Sequence, residues 1–230
     1  MAVLENSLWV QFCKRQIGMK KCLVILAKTP GISSIKTRLA KEIGQDKALE
    51  FYQLCKSCLS IFAKRGKHST YIATAEKSGA SHTFWKGFDT FHAEGDSLGD
   101  KQHFIFEKLL AKYDAVVLVG MDIPQMDQKL ISEAFYNLEK TDYVLGPSQD
   151  GGFYLFGSRR KIPKLIWCET PWSTSETAKE FTKLLDQEPV YLRVLTDIDY
   201  FSDLKTMVKE MPGDKSMDQE KIVGWIRAIT

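Results

Sequence analysis

Cys22-Leu23-Val24-Ile25-Leu26-Ala27, followed by Lys28-Thr29-Pro30-Gly31-Ile32-Ser33-Ser34-Ile35 and then Lys36-Thr37-Arg38-Leu39, is the stretch that decides the architecture. Its unbroken apolar run reads as a strand buried on both faces, the kind found in parallel sheets. Pro30 and Gly31 end that strand. A helical pattern then covers 37–43, and Gly44 stops it as a C′ residue. Ligands of open α/β sheets bind outside the carboxyl ends of the strands. The loop that leaves this strand brings Lys28, Lys36 and Arg38 to that edge. Backbone N–H groups at a helix start favour anions. Lys36 adds a point charge, and Arg38 adds a fork that matches phosphate oxygens. The Walker A spacing is absent. A solvated loop with ordinary surface lysines explains the same letters, so both readings stand for this loop alone.

Outward from that stretch, strands are expected over 69–75, 89–92, 115–119, 143–145, 153–156 and 190–195. Helices are expected over 48–64, 98–112, 130–138, 173–185, 201–209 and 219–228. Gln45-Asp46 is expected to cap the second helix, and Ser173 or Ser175 the one over 173–185. Strands alternating with helices predict an α/β fold: one domain with a mostly parallel central sheet flanked by helices. The stretch from Gly146 to Trp172 breaks the rhythm and predicts a small antiparallel element. No internal repeat is present.

At 230 residues the chain suits one domain with a full core, and its 44% apolar and 27% charged content is that of a soluble globular protein. The net charge of +3 is well mixed, which argues against nucleic acid as a partner. No run approaches the ~20 apolar residues of a membrane span. Five cysteines, an odd number without paired spacing, point to reduced thiols and a cytoplasmic location. Cys55-Lys56-Ser57-Cys58 lies inside a helical pattern, where structural core cysteines are expected. Residues 1–18 read as an N-terminal extension before a 19–230 domain, with Leu4, Leu8, Trp9 and Phe12 near one face of a short amphipathic helix.

Four further stretches put charge or glycine where strands end. Gly95-Asp96-Ser97-Leu98-Gly99 opens a helix, either as a close-approach loop for a flat ligand or as a capped helix start. Gly120-Met121-Asp122-Ile123-Pro124 ends the most apolar strand. A carboxylate there must be solvated, paired or bound to a metal, and Mg²⁺ takes one or two carboxylates plus substrate phosphates. Asp150-Gly151-Gly152 serves as a turn, or Asp150 orients a hydroxyl or helps to hold a metal. Asp197-Ile198-Asp199 precedes a helix, where either Asp acts as a cap or completes a two-carboxylate metal site with Asp122. His68, His82, His92 and His103 have no metal spacing, and no G-x-S-x-G nucleophile elbow occurs.

Taken in order, these motifs resemble the rSAM/selenodomain-associated transferase 1 family of the GT-A (nucleotide-diphospho-sugar transferase) superfamily. The resemblance runs from Ala27–Leu39 through Gly95 to Lys101, Gly120 to Pro124, Leu145 to Leu155 and Trp172-Ser173-Thr174, to Asp197–Leu204. Departures are Ser33 for Gly, Ser97 for Asp, Lys101 for Arg and Met121 for a small hydroxyl residue. Alternation turns Met121 away if Asp122 points into the site. The resemblance implies a GT-A fold and a transferase. In its terms Lys36, Arg38 and Asp122 are catalytic, and Ala27, Lys28, Pro30, Lys36, Arg38, Gly95, Leu98 and Gly99 bind nucleotide. Asp150, Gly151, Gly152 and Trp172 hold the acceptor, and Asp122 and Asp199 hold Mg²⁺ or Mn²⁺. The expected activity is nucleotidyl transfer from a nucleoside triphosphate to a small phosphorylated or hydroxylated acceptor. Glycosyl transfer from a nucleotide-sugar is the alternative, and a non-catalytic nucleotide- or partner-binding domain a second one.

Overall fold

A computed structural model describes residues 18–230. Cys13 and the amphipathic helix expected from Leu4 to Phe12 lie outside the described residues. Strand β1 (Lys21–Ala27) is an interior strand, third in a seven-stranded sheet of order β3-β2-β1-β4-β6-β5-β7. It pairs in parallel with β2 (Ser69–Thr74) and with β4 (Ala115–Gly120), and β2 pairs in parallel with β3 (Asp89–His92). The carboxyl ends of these four strands therefore share one edge. The expected antiparallel element is β6 (Phe153–Ser158), which runs against both β4 and β5 (Tyr143–Pro147). A two-residue β7 (Val190–Tyr191) closes the far edge in parallel to β5.

The helices are α1 (Thr37–Ile43), α2 (Gln45–Arg65), α3 (Leu98–Leu110), α4 (Gln128–Leu138), α5 (Lys164–Glu169), α6 (Thr177–Leu184), α7 (Phe201–Glu210) and α8 (Met217–Ile229). Alternation along β1 splits the core. Leu23 and Ile25 pack with Leu59 and Phe62 of α2 and Ile131 and Phe135 of α4. Cys22 and Val24 face Phe106, Trp167 and Phe181 on the other side. A third cluster joins Leu39 of α1 and Phe51 and Cys55 of α2 to Ile198, Leu204 and Met207, with Ile222 of α8. Cys55 and Cys58 are buried there as core residues, and burial raises the Cys58 thiol to about 12. A thiol so far from its thiolate is a poor nucleophile.

Four local expectations are corrected. Gln45 lies inside α2, whose cap position is taken by Gly44 with no side-chain cap. Helix α5 was missed, since six residues between Pro163 and Pro171 with one fully buried side chain, Trp167, give too little periodicity. Helix α6 begins at Thr177, because the Thr177 hydroxyl donates to Pro171 O at 2.7 Å and Ser173 adopts a left-handed φ of 63°. The strand expected to run to 195 stops at Tyr191. The register of β5 shifts at Gly146/Pro147, and the chain rejoins that edge only through the bridge of Ser148 with Leu195.

Candidate functional site

The loop after β1 is held by its own backbone. Thr29 O accepts from the N–H groups of Ile32 and Ser33 at 3.1 and 3.0 Å. Thr29 N donates to Glu76 at 3.1 Å, and Tyr52 Oη donates to Lys28 O at 2.7 Å. Ala27 is buried, Pro30 is half-buried and Lys28 is exposed. The chain then passes Lys36 in a left-handed conformation, φ 44° and ψ 44°, which side chains other than glycine rarely adopt. Strain of that kind gathers where the surroundings over-determine a position.

That conformation sends Lys36 inward, and its side chain is only 5% exposed. Its ammonium forms an ion pair with Asp122 Oδ2 and donates to Ile198 O. Asp199 Oδ1 lies at 3.5 Å and Asp197 Oδ1 at 3.7 Å from the same nitrogen. Arg38, which is exposed, pairs with the other oxygen of Asp199 and lies 5.8 Å from the Tyr200 ring. Burial opposes the charge on Lys36 most strongly. The fields of Asp122, Asp197 and Asp199 outweigh it and hold the ammonium above its ordinary pKa. Burial likewise raises the Asp197 carboxyl to about 8, with Asp122 adding to the rise and Lys36 opposing it.

The core explains why these groups meet. Leu39 and Ile198 sit in the same buried cluster, so the residues next to them, Arg38 and the two aspartates, are drawn to one place. The resemblance singles out Asp199 as the second ligand and leaves Asp197 aside. The signal for it was present: in an extended chain, residues i and i+2 share a face. Ile198 fills the opposite face and is fully buried. Neither aspartate caps α7; Asp203 does, accepting from Asp199 N at 3.0 Å and Tyr200 N at 2.7 Å. Glu210, at the far end of α7, anchors the segment from behind. It accepts from Thr196 N at 2.8 Å, Thr196 Oγ1 at 2.7 Å, Gln125 Nε2 at 3.0 Å and Gln149 Nε2 at 3.2 Å.

Asp150 lies close enough for its field to reach this centre. Arg38 is raised first by Asp199 and Tyr200, and the field of Asp150 reaches both Arg38 and Asp197. Its Oδ1 accepts from Ser148 Oγ at 2.6 Å and Gly152 N at 3.0 Å, which forms the turn. Gly151 has φ 88° and lies against Ser175, where an added Cβ would fall 1.9 Å from the carbonyl oxygen. Its own carbonyl accepts from Ala178 N at 2.9 Å.

The Gly95–Gly99 motif sits at the same sheet edge, beyond β3. Ser97 caps α3 in a capping box with Asp100, and Lys101 Nζ donates back to Gly95 O. Leu98 is exposed, whereas Gly99 is buried. A Cβ on Gly99 would meet Trp167 O and Trp172 Nε1, both at 2.4 Å. Trp172 stacks on Trp167 at 6.1 Å and donates to its carbonyl at 2.8 Å. Gly99 and Trp172 thus bind each other's elements together, and neither contacts the Lys36 centre through these bonds.

Among the described residues no group of three or more His, Cys, Asp and Glu side chains is arranged as a metal-ligand set. The donor chemistry still fits a hard divalent cation. Asp122 and Asp199 each direct a carboxylate oxygen at one point, which a cationic nitrogen takes. Mg²⁺ is commonly held by two such carboxylates and phosphate oxygens.

Solved structures share the fold. A protein from Desulfovibrio desulfuricans G20 with a provisional description as a nucleotide-diphospho-sugar transferase superposes with a TM-score of 0.77, at 22% identity, over 92% of this chain and 97% of its own. The 4-diphosphocytidyl-2C-methyl-D-erythritol synthase of Anaerococcus prevotii DSM 20548 gives 0.52 at 10% identity, over 93% and 97%. A CMP:2-keto-3-deoxy-manno-octonic acid synthetase, complexed with CTP, gives 0.50 at 12% identity, over 81% and 96%. No curated protein matches the sequence. The sequence model of DUF2064, described as an uncharacterized protein conserved in bacteria, matches residues 59–174. That span holds Asp122 and Asp150, while Lys36, Arg38, Asp197 and Asp199 flank it. With half the chain inside that match, the protein belongs to the DUF2064 family.

Proposed function

We propose that the chain is a metal-dependent nucleotidyltransferase acting on a nucleoside triphosphate and a small acceptor. The observation that supports this most is the meeting of Lys36 and Arg38 with Asp122 and Asp199 at the carboxyl edge of the parallel strands. Two cations and two carboxylates at one point are the groups needed to bind a polyphosphate together with a divalent ion. Asp122 and Asp199 hold Mg²⁺ or Mn²⁺, which supplies charge neutralisation on the phosphate oxygens when bound. Arg38 presents its fork to phosphate from an exposed position, and Lys36 contributes a point charge. Both stabilise charge that develops on the transferred phosphorus. The Asp150 carboxylate orients the acceptor, whose hydroxyl or phosphate oxygen attacks the α-phosphorus in line as the bond to the β-phosphate breaks and pyrophosphate leaves. Gly95, Leu98 and the loop from Ala27 to Pro30 line the nucleotide's path along the same edge.

Glycosyl transfer from a nucleotide-sugar is the second reading. It is favoured by the higher structural likeness to the Desulfovibrio protein. Calorimetric titration separates the two. A nucleoside triphosphate with Mg²⁺ should bind more tightly than the matching nucleotide-sugar, and Asp122→Asn should remove the Mg²⁺ dependence. Equal strengthening by Mg²⁺ in wild type and Asp122→Asn would overturn the assignment of Asp122 as a ligand. Preference for nucleotide-sugars would overturn nucleotidyl transfer.

A further inference from the structure

Lys36 presents a conflict that the proposed function leaves open. A lysine that grips phosphate should reach outward, yet its ammonium is buried between carboxylates. It takes the very point at which Asp122 and Asp199 converge. Three aspartates in one half-buried cage repel one another unless a cation joins them or one of them keeps a proton, as the raised Asp197 does in part. Asp197 Oδ1 is buried without a hydrogen-bond partner, so the ammonium does not satisfy the cage completely. The backbone that delivers this lysine is left-handed, an arrangement the chain has reason to leave.

Resting on the metal-dependent reading above, we propose that Lys36 is the resident counter-ion of the Asp122–Asp197–Asp199 cage and that a divalent cation displaces it. Entry of the ion and release of the lysine toward the phosphates of the incoming nucleotide are then a single exchange. One positive charge leaves the cage as two enter, so the carboxylates are never left without a partner. The binding order follows. Metal alone competes against Lys36 and binds weakly. Metal with triphosphate binds well, because the phosphates offer the displaced ammonium a new partner. The device thus couples occupancy of the cation position to the presence of a polyphosphate.

Two measurements on the full chain test this. In the first, Mn²⁺ binding is followed by electron paramagnetic resonance without nucleotide. Lys36→Met keeps the aliphatic stem and removes the competing charge. It should bind Mn²⁺ about ten- to a hundredfold more tightly than wild type, the scale expected for losing one close competing charge. Equal or weaker binding by a folded Lys36→Met would overturn the exchange. The second needs no substitution. Wild type is treated with an amine-reactive ester, and labelling of Lys36 is read by peptide mass spectrometry against the other lysines. Mn²⁺ near its saturating concentration should raise Lys36 labelling several-fold, and adding a non-hydrolysable triphosphate should lower it again. Unchanged labelling with bound Mn²⁺ would overturn the proposal. If wild type binds Mn²⁺ with triphosphate but shows neither effect, the exchange fails and the metal-dependent reading stands. If neither protein binds Mn²⁺ even with triphosphate, both fail together.

Discussion

At the scale of single residues, charge and exposure separate the two cations of the first loop. Arg38 is more than half exposed and meets Asp199 from the outside, so a phosphate reaches it without burying anything. A charge-assisted hydrogen bond to phosphate is stronger than a neutral one. Arg38→Ala should therefore weaken triphosphate binding roughly ten- to a hundredfold while leaving nucleoside binding unchanged, as read by calorimetry. Equal losses for both ligands would make Arg38 a structural partner of Asp199. Lys36, Arg38, Asp122 and Asp199 could each be named from the sequence because they are charged residues placed where strands end or helices begin. Asp197 could be found only by applying strand alternation to a stretch that also resembles a helix cap. Gly99 and Trp172 are expected beside a ligand, and their spacing says nothing about the protein partner each also packs on. Each has the other as that partner.

Among the elements, α7 shows how a helix can serve a site from its wrong end. A carboxylate in the last turn of a helix opposes the helix dipole. Glu210 sits there all the same and accepts four hydrogen bonds, two of them from Thr196 and the others from Gln125 and Gln149. Those bonds fix the backbone directly before Asp197. In Glu210→Gln the carboxylate charge is lost, and the amide NH₂ fits only where Thr196 Oγ1 and the Gln149 amide turn to accept from it, so the network is weakened. The variant should lose about 1–3 kcal/mol of stability. That is read as a lower urea midpoint at unchanged m-value. Its triphosphate affinity should fall as well, because the Asp197–Asp199 segment loses its anchor. Full retention of stability would show that Glu210 is a surface residue with no structural share. The network joins residues 125, 149, 196 and 210, far apart in sequence, and nothing in their spacing announces it.

For the whole molecule, the site joins the start of the chain to its end. Lys36 and Arg38 follow the first strand, Asp122 follows β4, and Asp197 and Asp199 lie close to the last two helices. A ligand that bridges these groups should stabilise the fold as a unit. Triphosphate and Mg²⁺ at a hundred times the Kd stabilise by about 2.7 kcal/mol. For a chain of this length, each kcal/mol raises Tm by about 2–4 °C. A shift of roughly 5–10 °C is expected with both ligands present, and a smaller one with triphosphate alone. No dependence on Mg²⁺ in the thermal melt would count against a shared ion.

The sequence by itself determined the fold class, the position of β1, the antiparallel interruption and the list of strand-end motifs. These depend on periodicities of two and 3.6 residues and on breakers such as Pro30, Gly31 and Gly44, all of which act over a few neighbours. Tertiary structure alone decided which motifs share one site. The third core cluster puts Leu39 beside Ile198, and this packing across about 160 residues gathers the four charged groups. It also decided that Gly99 serves packing, that β7 ends at Tyr191, and that Lys36 turns inward. Long-range packing, burial and the field of distant carboxylates set those outcomes, and none of them is written in the local order of residues.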